Sequence, residues 1–240
     1  MLSLSNLNKA YGAVVIAEDL SLEVPRGQAL GILGPNGAGK TSLFNLIVGT
    51  VPVDGGRMTL EGAEITAMPA ADRCHLGIAR SYQVPHPFVG MTVYENCLTA
   101  ACFGGGLREA EAATHCVEVL QLCGLAVKGD SLAGDLTLLE RKRLELARAL
   151  ASRPKLLLLD EIAGGLTEPE CDALVETIRT IRATGVTIVW IEHVLHALTE
   201  VADRAILLSG GHILADATPG EIMDDPVVRE IYMGAPADAA

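Results

Sequence analysis

Two kinds of apolar pattern run through the chain. Near the N-terminus apolar positions fall every second residue: Leu2-Ser3-Leu4, then Leu20-Ser21-Leu22-Glu23-Val24, with a turn at Pro25-Arg26-Gly27. That period predicts strands with one solvated face. Ala29-Leu30-Gly31-Ile32-Leu33 is apolar without a break, as in a strand covered on both faces. A glycine-rich turn follows, then a helix from Lys40 to Val48 that Gly49 stops. Arg57-Met58-Thr59-Leu60-Glu61 and Ile78-Ala79-Arg80-Ser81 predict further short strands. From about Pro85 to Leu150 the pattern turns helical, with Gly104-Gly105-Gly106 expected as a flexible turn and another helix opening within Leu136 to Glu140. Beyond Lys155 lie strand-length blocks at Leu156 to Leu159, Val186 to Ile191 and Ala205 to Leu208. Helices from about Pro169 to Ala183 and from Val194 to Val201 separate them.

Alternating β and α elements with buried apolar strands predict an α/β fold, a parallel sheet core covered by helices. Residues 1–30 and 55–65 add an antiparallel β subdomain, and residues 85–150 a helical subdomain. No internal repeat or low-complexity linker interrupts the chain, so residues 1–240 are expected to form a single domain, with 226–240 as a C-terminal tail.

Composition narrows the class. Half the residues are apolar but only 3% are aromatic, so aliphatic side chains must fill the core. No apolar run approaches the roughly 18–20 residues of a membrane helix. Met1 to Asn6 lacks a basic stretch followed by an apolar block, so no signal peptide is expected and the chain should remain in the cytosol. The net charge of −12 argues against a nucleic-acid partner. Arg141-Lys142-Arg143 shares its helix with Glu140 and Glu145 and reads as a solvated helical face. The six cysteines, at 74, 97, 102, 116, 123 and 171, form no C-x-x-C pair and no zinc spacing; they are expected to be reduced and half-buried. His193 and His196 stand at helical spacing, but with no second ligand pair in view they make no metal site.

The chemistry begins where the first fully apolar strand ends. Gly34-Pro35-Asn36-Gly37-Ala38-Gly39-Lys40-Thr41 fits G-x-x-x-x-G-K-S/T, and Ser42 continues it into the helix. Glycines let the backbone curl until successive N–H groups point inward at phosphate oxygens, and the helix aims its positive end at the same place. Lys40 should reach the β- and γ-phosphates, and the Thr41 hydroxyl should ligate Mg²⁺. Such a site takes ATP or a similar nucleoside triphosphate.

Leu156-Leu157-Leu158-Leu159-Asp160-Glu161 is an apolar strand ending in two carboxylates. In a parallel sheet the C-terminal strand ends face the ligand crevice. Asp160 is therefore placed to hold Mg²⁺ through water, and Glu161 to orient and deprotonate the attacking water. Phosphoryl transfer is mostly positioning and charge stabilisation, so a carboxylate of ordinary pKa suffices.

Four further features fall in order along the chain. Tyr11 lies upstream of the loop, where an aromatic ring can stack on adenine; Gln83 follows the strand ending at Ser81. Leu136 to Glu140 opens a helix before Asp160, and His193 ends the strand Val186 to Glu192. With these, the whole chain resembles the ATP-binding cassette (ABC) family of transporter ATPases, and within it the ATPase subunits of branched-chain amino acid importers. Arg80-Ser81-Tyr82-Gln83, Met91-Thr92-Val93-Tyr94-Glu95-Asn96 and Pro226-Val227-Val228-Arg229-Glu230-Ile231-Tyr232-Met233-Gly234 carry the narrower likeness. The resemblance implies a RecA-like P-loop core and hydrolysis of ATP with Mg²⁺ held at Thr41, Asp160 and Gln83. It implies that Gln83 senses the γ-phosphate and couples to the permease, that His193 contacts the γ-phosphate, and that Val84 to Cys102 meets the permease. Transmembrane permease subunits and a second cassette, a different chain or another copy of this one, are the implied partners. The implied location is the cytoplasmic face of the inner membrane.

The sequence departs from the family at its signature, Leu-Ser-Gly-Gly-Gln. The matching residues are Leu136-Thr137-Leu138-Leu139-Glu140, with both glycines lost. Thr137-x-x-Glu140 is still a capping box, so the helix start and the Thr137 hydroxyl should survive for a nucleotide held by the partner. Two leucines and a carboxylate make close approach to a γ-phosphate harder, and Arg141 to Arg143 are expected to offset the charge. Ile162 stands where the family usually has proline, and Thr167 where it has aspartate or asparagine; Thr167-Glu168-Pro169-Glu170 is a second capping box. Two rival readings remain at this level. One is a soluble cassette protein acting on nucleic acid or ribosomes; the other is a regulatory module that binds nucleotide without hydrolysing it.

Overall fold

The computed structural model describes residues 1–233. Gly234 and the residues after it, the end of the expected tail, lie outside the described part, as do the side chains of Tyr232 and Met233. The chain runs β1 (Leu2–Tyr11), β2 (Val14–Val24), β3 (Ala29–Leu33), α1 (Lys40–Val48), β4 (Gly55–Leu60) and β5 (Ala63–Glu64). Then come α2 (Ala70–Leu76), β6 (Ile78–Ser81), α3 (Val93–Thr99), α4 (Glu109–Leu122), α5 (Leu138–Ala151), β7 (Leu156–Asp160) and α6 (Glu168–Ala183). The last part holds β8 (Thr187–Ile191), α7 (Leu195–Val201), β9 (Arg204–Ser209), β10 (His212–Ala217), α8 (Pro219–Asp224) and α9 (Pro226–Met233). It is an α/β fold with two compact units: residues 1–70 together with the chain from Thr187 onward, and Ala71–Val186. No helix among the described residues is long and apolar enough to cross a membrane.

In the first unit the alternating strands pair antiparallel in the order β2-β1-β4-β5. Leu2 stands opposite both Val24 and Leu60, and Leu2, Leu4, Leu22, Val24, Met58 and Leu60 are all buried. Period two thus became one apolar face. β3 pairs parallel with β8 on one side and β9 on the other. Paired on both edges, β3 has no exposed residue, and β8 has none either, in keeping with their unbroken apolar runs. A Cβ at Gly31 would lie 2.5 Å from the Leu198 side chain, so α7 packs directly on the β3 backbone.

Three elements at this end, β10, α8 and α9, carry no secondary-structure expectation from the sequence. β9 turns through Gly210 (φ 57°) and Gly211 (φ 84°) into β10, which pairs antiparallel with it. Gly-Gly at both positive-φ positions is a hairpin signal that was there to read. The helices α8 and α9 follow, and Ile222 and Val228 are buried against Leu33, Leu198 and Leu207. The tail therefore begins as part of the core.

The second unit builds on β6 and β7, parallel and in register from Ile78 opposite Leu156 to Ser81 opposite Leu159. Buried faces of α3 (Val93, Cys97), α4 (Ala112, Cys116, Leu120) and α5 (Leu144, Ala147, Ala151) pack as its helical layer. Gly104 to Gly106 is not the flexible turn expected: α3 continues into a π-helical segment, Ala100–Gly104, and Gly105 N–H donates to Ala100 O at 3.0 Å. A Cβ at Gly105 would sit 2.7 Å from Ala101 O, so this glycine ends a helix where packing is tight.

The basic run on α5 is also not a solvated face. Lys142 is 3% exposed and reaches Gln83 O at 3.4 Å, while Arg141 donates to Gly134 O at 2.8 Å and Arg143 to Ala173 O at 3.3 Å. Long cationic side chains here satisfy buried carbonyls from neighbouring segments, an outcome that charge patterning alone does not distinguish from hydration. The six cysteines are free thiols, four of them buried; burial pushes Cys116 up to about 11 and Cys123 up to about 12.

Candidate functional site

β3 delivers the chain to the loop at Gly34, where a Cβ would lie 2.3 Å from the Leu208 carbonyl oxygen; only glycine lets the loop leave the sheet here. Gly39 caps α1 at φ 92° and brings no side chain to the helix start, and the first turn of α1 carries no acidic residue. A helix beginning this way keeps its N-terminal field for an anion. Lys40 is 5% exposed, and its ammonium donates to Gly34 O at 2.7 Å and Pro35 O at 3.1 Å, inside the curl of its own loop. Ala38 N–H bonds to Pro35 O at 3.1 Å and closes the turn. Asn36 and Gly37 are exposed at the rim, Ser42 is half-buried, and Thr41 is exposed on the first turn of α1.

Two more predicted residues belong to the same unit. Tyr11 ends β1, half exposed, with the Lys9 ammonium 5.2 Å from its ring centroid. β3 and β8 end side by side, Ile32 opposite Ile191, and His193 follows β8 by two residues. Its ring belongs to an exposed residue, and its N–H donates to Glu192 Oε1 at 2.9 Å. Glu192 is 1% exposed and takes Val194 N–H at 3.3 Å as well, so one buried carboxylate sets the backbone of this turn.

In the second unit two pairs of side chains meet at the ends of β6 and β7. Gln83 Nε2 donates to Glu161 Oε2 at 2.7 Å. The Arg80 guanidinium donates to Asp160 Oδ2 in an ion pair whose side chains are 6% and 3% exposed. Arg80 also lies 5.0 Å from the ring centroid of Tyr82. Sequence reasoning gave Arg80 no role, and no signal offered one: its partner is far along the chain and only the parallel register joins them. Glu161 holds φ at 46°, a left-handed conformation that costs a glutamate about 1–3 kcal/mol and that clusters at functional positions.

Thr137 caps α5 as expected. Its N–H donates to Glu140 Oε2 at 2.9 Å, and Glu140 N–H returns to Thr137 Oγ1 at 3.3 Å. Leu138 is 44% exposed. The charge on Glu140 is met by Lys128, 3.2 Å away, and not by Arg141 to Arg143, whose contacts run to carbonyls instead. The Thr137 backbone bond and then Lys128 hold the Glu140 carboxyl below its usual range. The loop, Tyr11 and His193 thus sit in one unit, and Gln83, Thr137, Asp160 and Glu161 in the other.

A sequence profile of the ABC transporter family matches residues 17–164, a span holding the loop, Gln83, Thr137, Asp160 and Glu161. The chain belongs to the ABC transporter family. Curated relatives cover the cassette from end to end. The lipopolysaccharide export ATP-binding protein of Escherichia coli K12 is 34% identical over 97% of this chain and 97% of its own. A high-affinity branched-chain amino acid transport ATP-binding protein of Pseudomonas aeruginosa is also 34% identical, over 98% of each. Among solved structures, an ATP-binding cassette of an ABC transporter in its ADP conformation superposes with a TM-score of 0.89 at 30% identity, covering 98% and 99% of the two chains. This cassette is therefore an ATPase subunit that uses ATP with Mg²⁺ and works with transmembrane permease subunits and a second cassette. The glycine-curled loop, the cationic Lys40 and the Thr41 hydroxyl on the first turn of α1 suit the phosphates of a magnesium nucleotide.

Proposed function

We propose that this cassette energises an importer of branched-chain amino acids or related small amides from the cytoplasmic face of the membrane. The stretches Arg80 to Gln83, Met91 to Asn96 and Pro226 to Gly234 support that reading, as does the full-length similarity to the Pseudomonas relative. Lipopolysaccharide export is the second reading, favoured by several curated relatives of similar identity. Co-purification of the permease followed by ATP-dependent uptake into vesicles separates the two. Leucine accumulation supports the importer; extraction of lipopolysaccharide without leucine uptake rules it out.

The hydrogen bond from Gln83 to Glu161 carries the catalytic proposal. Held by Gln83, the Glu161 carboxylate takes the proton of the attacking water. The loop N–H groups, Lys40 and Ser42 bind phosphate oxygens, His193 contacts the terminal phosphate, and Tyr11 stacks on the base. Thr41, Asp160 and Gln83 hold the metal, which when bound neutralises charge on the transferring phosphoryl group. Thr137 serves the nucleotide held by the opposing cassette. Replacing a general base typically costs 10²–10⁴-fold, so Glu161→Gln should retain ATP while turnover falls by roughly that factor. An unchanged rate would remove Glu161 as the base.

A further inference from the structure

We propose that Arg80 is a positioning residue that occupies Asp160 as a stand-in cation until magnesium arrives with the nucleotide, a role that rests on Asp160 being a metal ligand. Asp160 is 2% exposed, and β6 is registered so that Arg80, opposite Leu158, delivers its guanidinium to Oδ2. A carboxylate this deep needs a positive partner, because an uncompensated buried charge is strongly destabilising. Arg80 supplies one within the unit, so the fold tolerates Asp160 without a metal.

The same charge opposes a divalent ion at that carboxylate. Metal binding without nucleotide is therefore weak, and the metal enters as the nucleotide complex, whose phosphates outweigh the repulsion. As the ion takes its share of Asp160, Arg80 gives up contact but keeps the Tyr82 face, 5.0 Å away. Tyr82 directly precedes Gln83, and Gln83 holds Glu161. Arrival of the metal is thereby reported along one short strand exit to the residue that sets the base.

The test reads metal, not turnover. Mn²⁺ binding to the nucleotide-free full chain is followed by electron paramagnetic resonance, and Tm is measured with and without Mg²⁺, for wild type, Arg80→Lys, Arg80→Met and Asp160→Asn. Arg80→Met should bind Mn²⁺ at least about tenfold more tightly than wild type, since one nearby charge is gone, and its Tm should become Mg²⁺-dependent. Arg80→Lys, which keeps the charge, should stay near wild type. Loss of folding in Arg80→Met that Mg²⁺ does not reverse, or Mn²⁺ affinity unchanged from wild type, overturns the proposal. Asp160→Asn that still binds Mn²⁺ in the presence of ATP as wild type does would instead overturn the assignment of Asp160 as a ligand.

Discussion

At Gly34 and Gly37 the same residue type answers two different physical demands. A methyl group at Gly34 would run into the Leu208 carbonyl at 2.3 Å, and a backbone atom in a sheet cannot swing aside as a side-chain tip can. At Gly37 the space is open, nothing lies within 4 Å, and only φ 82° asks for glycine. Gly34→Ala should therefore displace the loop, lower Tm and abolish ATP binding, whereas Gly37→Ala should cost about 1 kcal/mol of conformational strain and leave measurable affinity. Calorimetry and a fluorescent-nucleotide titration check both; equal damage from the two would show that contact with Leu208 does not matter. Both glycines were legible as loop residues in the sequence. The carbonyl that makes one of them indispensable was not, because it comes from β9, a strand almost the whole chain away.

Helix starts form a set. Thr92, Thr137, Thr167 and Thr218 each stand three residues before a glutamate, at 95, 140, 170 and 221, and each N–H is held by that glutamate's side chain. All four carboxyls titrate below the usual glutamate range: for Glu95, Glu140 and Glu170 the bond from the threonine N–H leads, and for Glu221 the threonine hydroxyl leads. Carboxyls depressed on folding contribute stability that is fully present above the ordinary value near 4.5 and is lost as pH falls through the folded value. Replacing the four by glutamine keeps a capping partner but removes the titration, so stability should fall less steeply below pH 4.5 in an acid-unfolding series. An unaltered acid limb would mean these carboxyls add nothing to the pH dependence. Thr137→Ala alone should cost about 1 kcal/mol, roughly 2–4 °C in Tm for a chain of this size. The boxes at 137 and 167 could be read from spacing alone. The fate of Arg141-Lys142-Arg143 could not, because a helix pattern shows charge but not which carbonyls of other segments fall within reach.

At the scale of the whole cassette, the sequence disclosed every strand that is buried on both sides. A strand-length apolar run without a break signals cover on both faces, and the loop motif directly follows one such run, Ala29 to Leu33. What it left out depends on register: Arg80 beside Asp160, Gln83 beside Glu161, and α8 and α9 folded against Leu33 and Leu198. Leu138 and Leu139 stand where the family's signature carries its two glycines. Composite sites need a second cassette, so hydrolysis should depend on assembly. The direct measurement is ATP turnover at saturating Mg-ATP, compared between the isolated chain and the complex with its permease and second cassette. Turnover should be low for the chain alone and rise at least about tenfold on assembly, a difference of roughly 1.4 kcal/mol or more in the barrier. Equal rates per cassette would contradict the account.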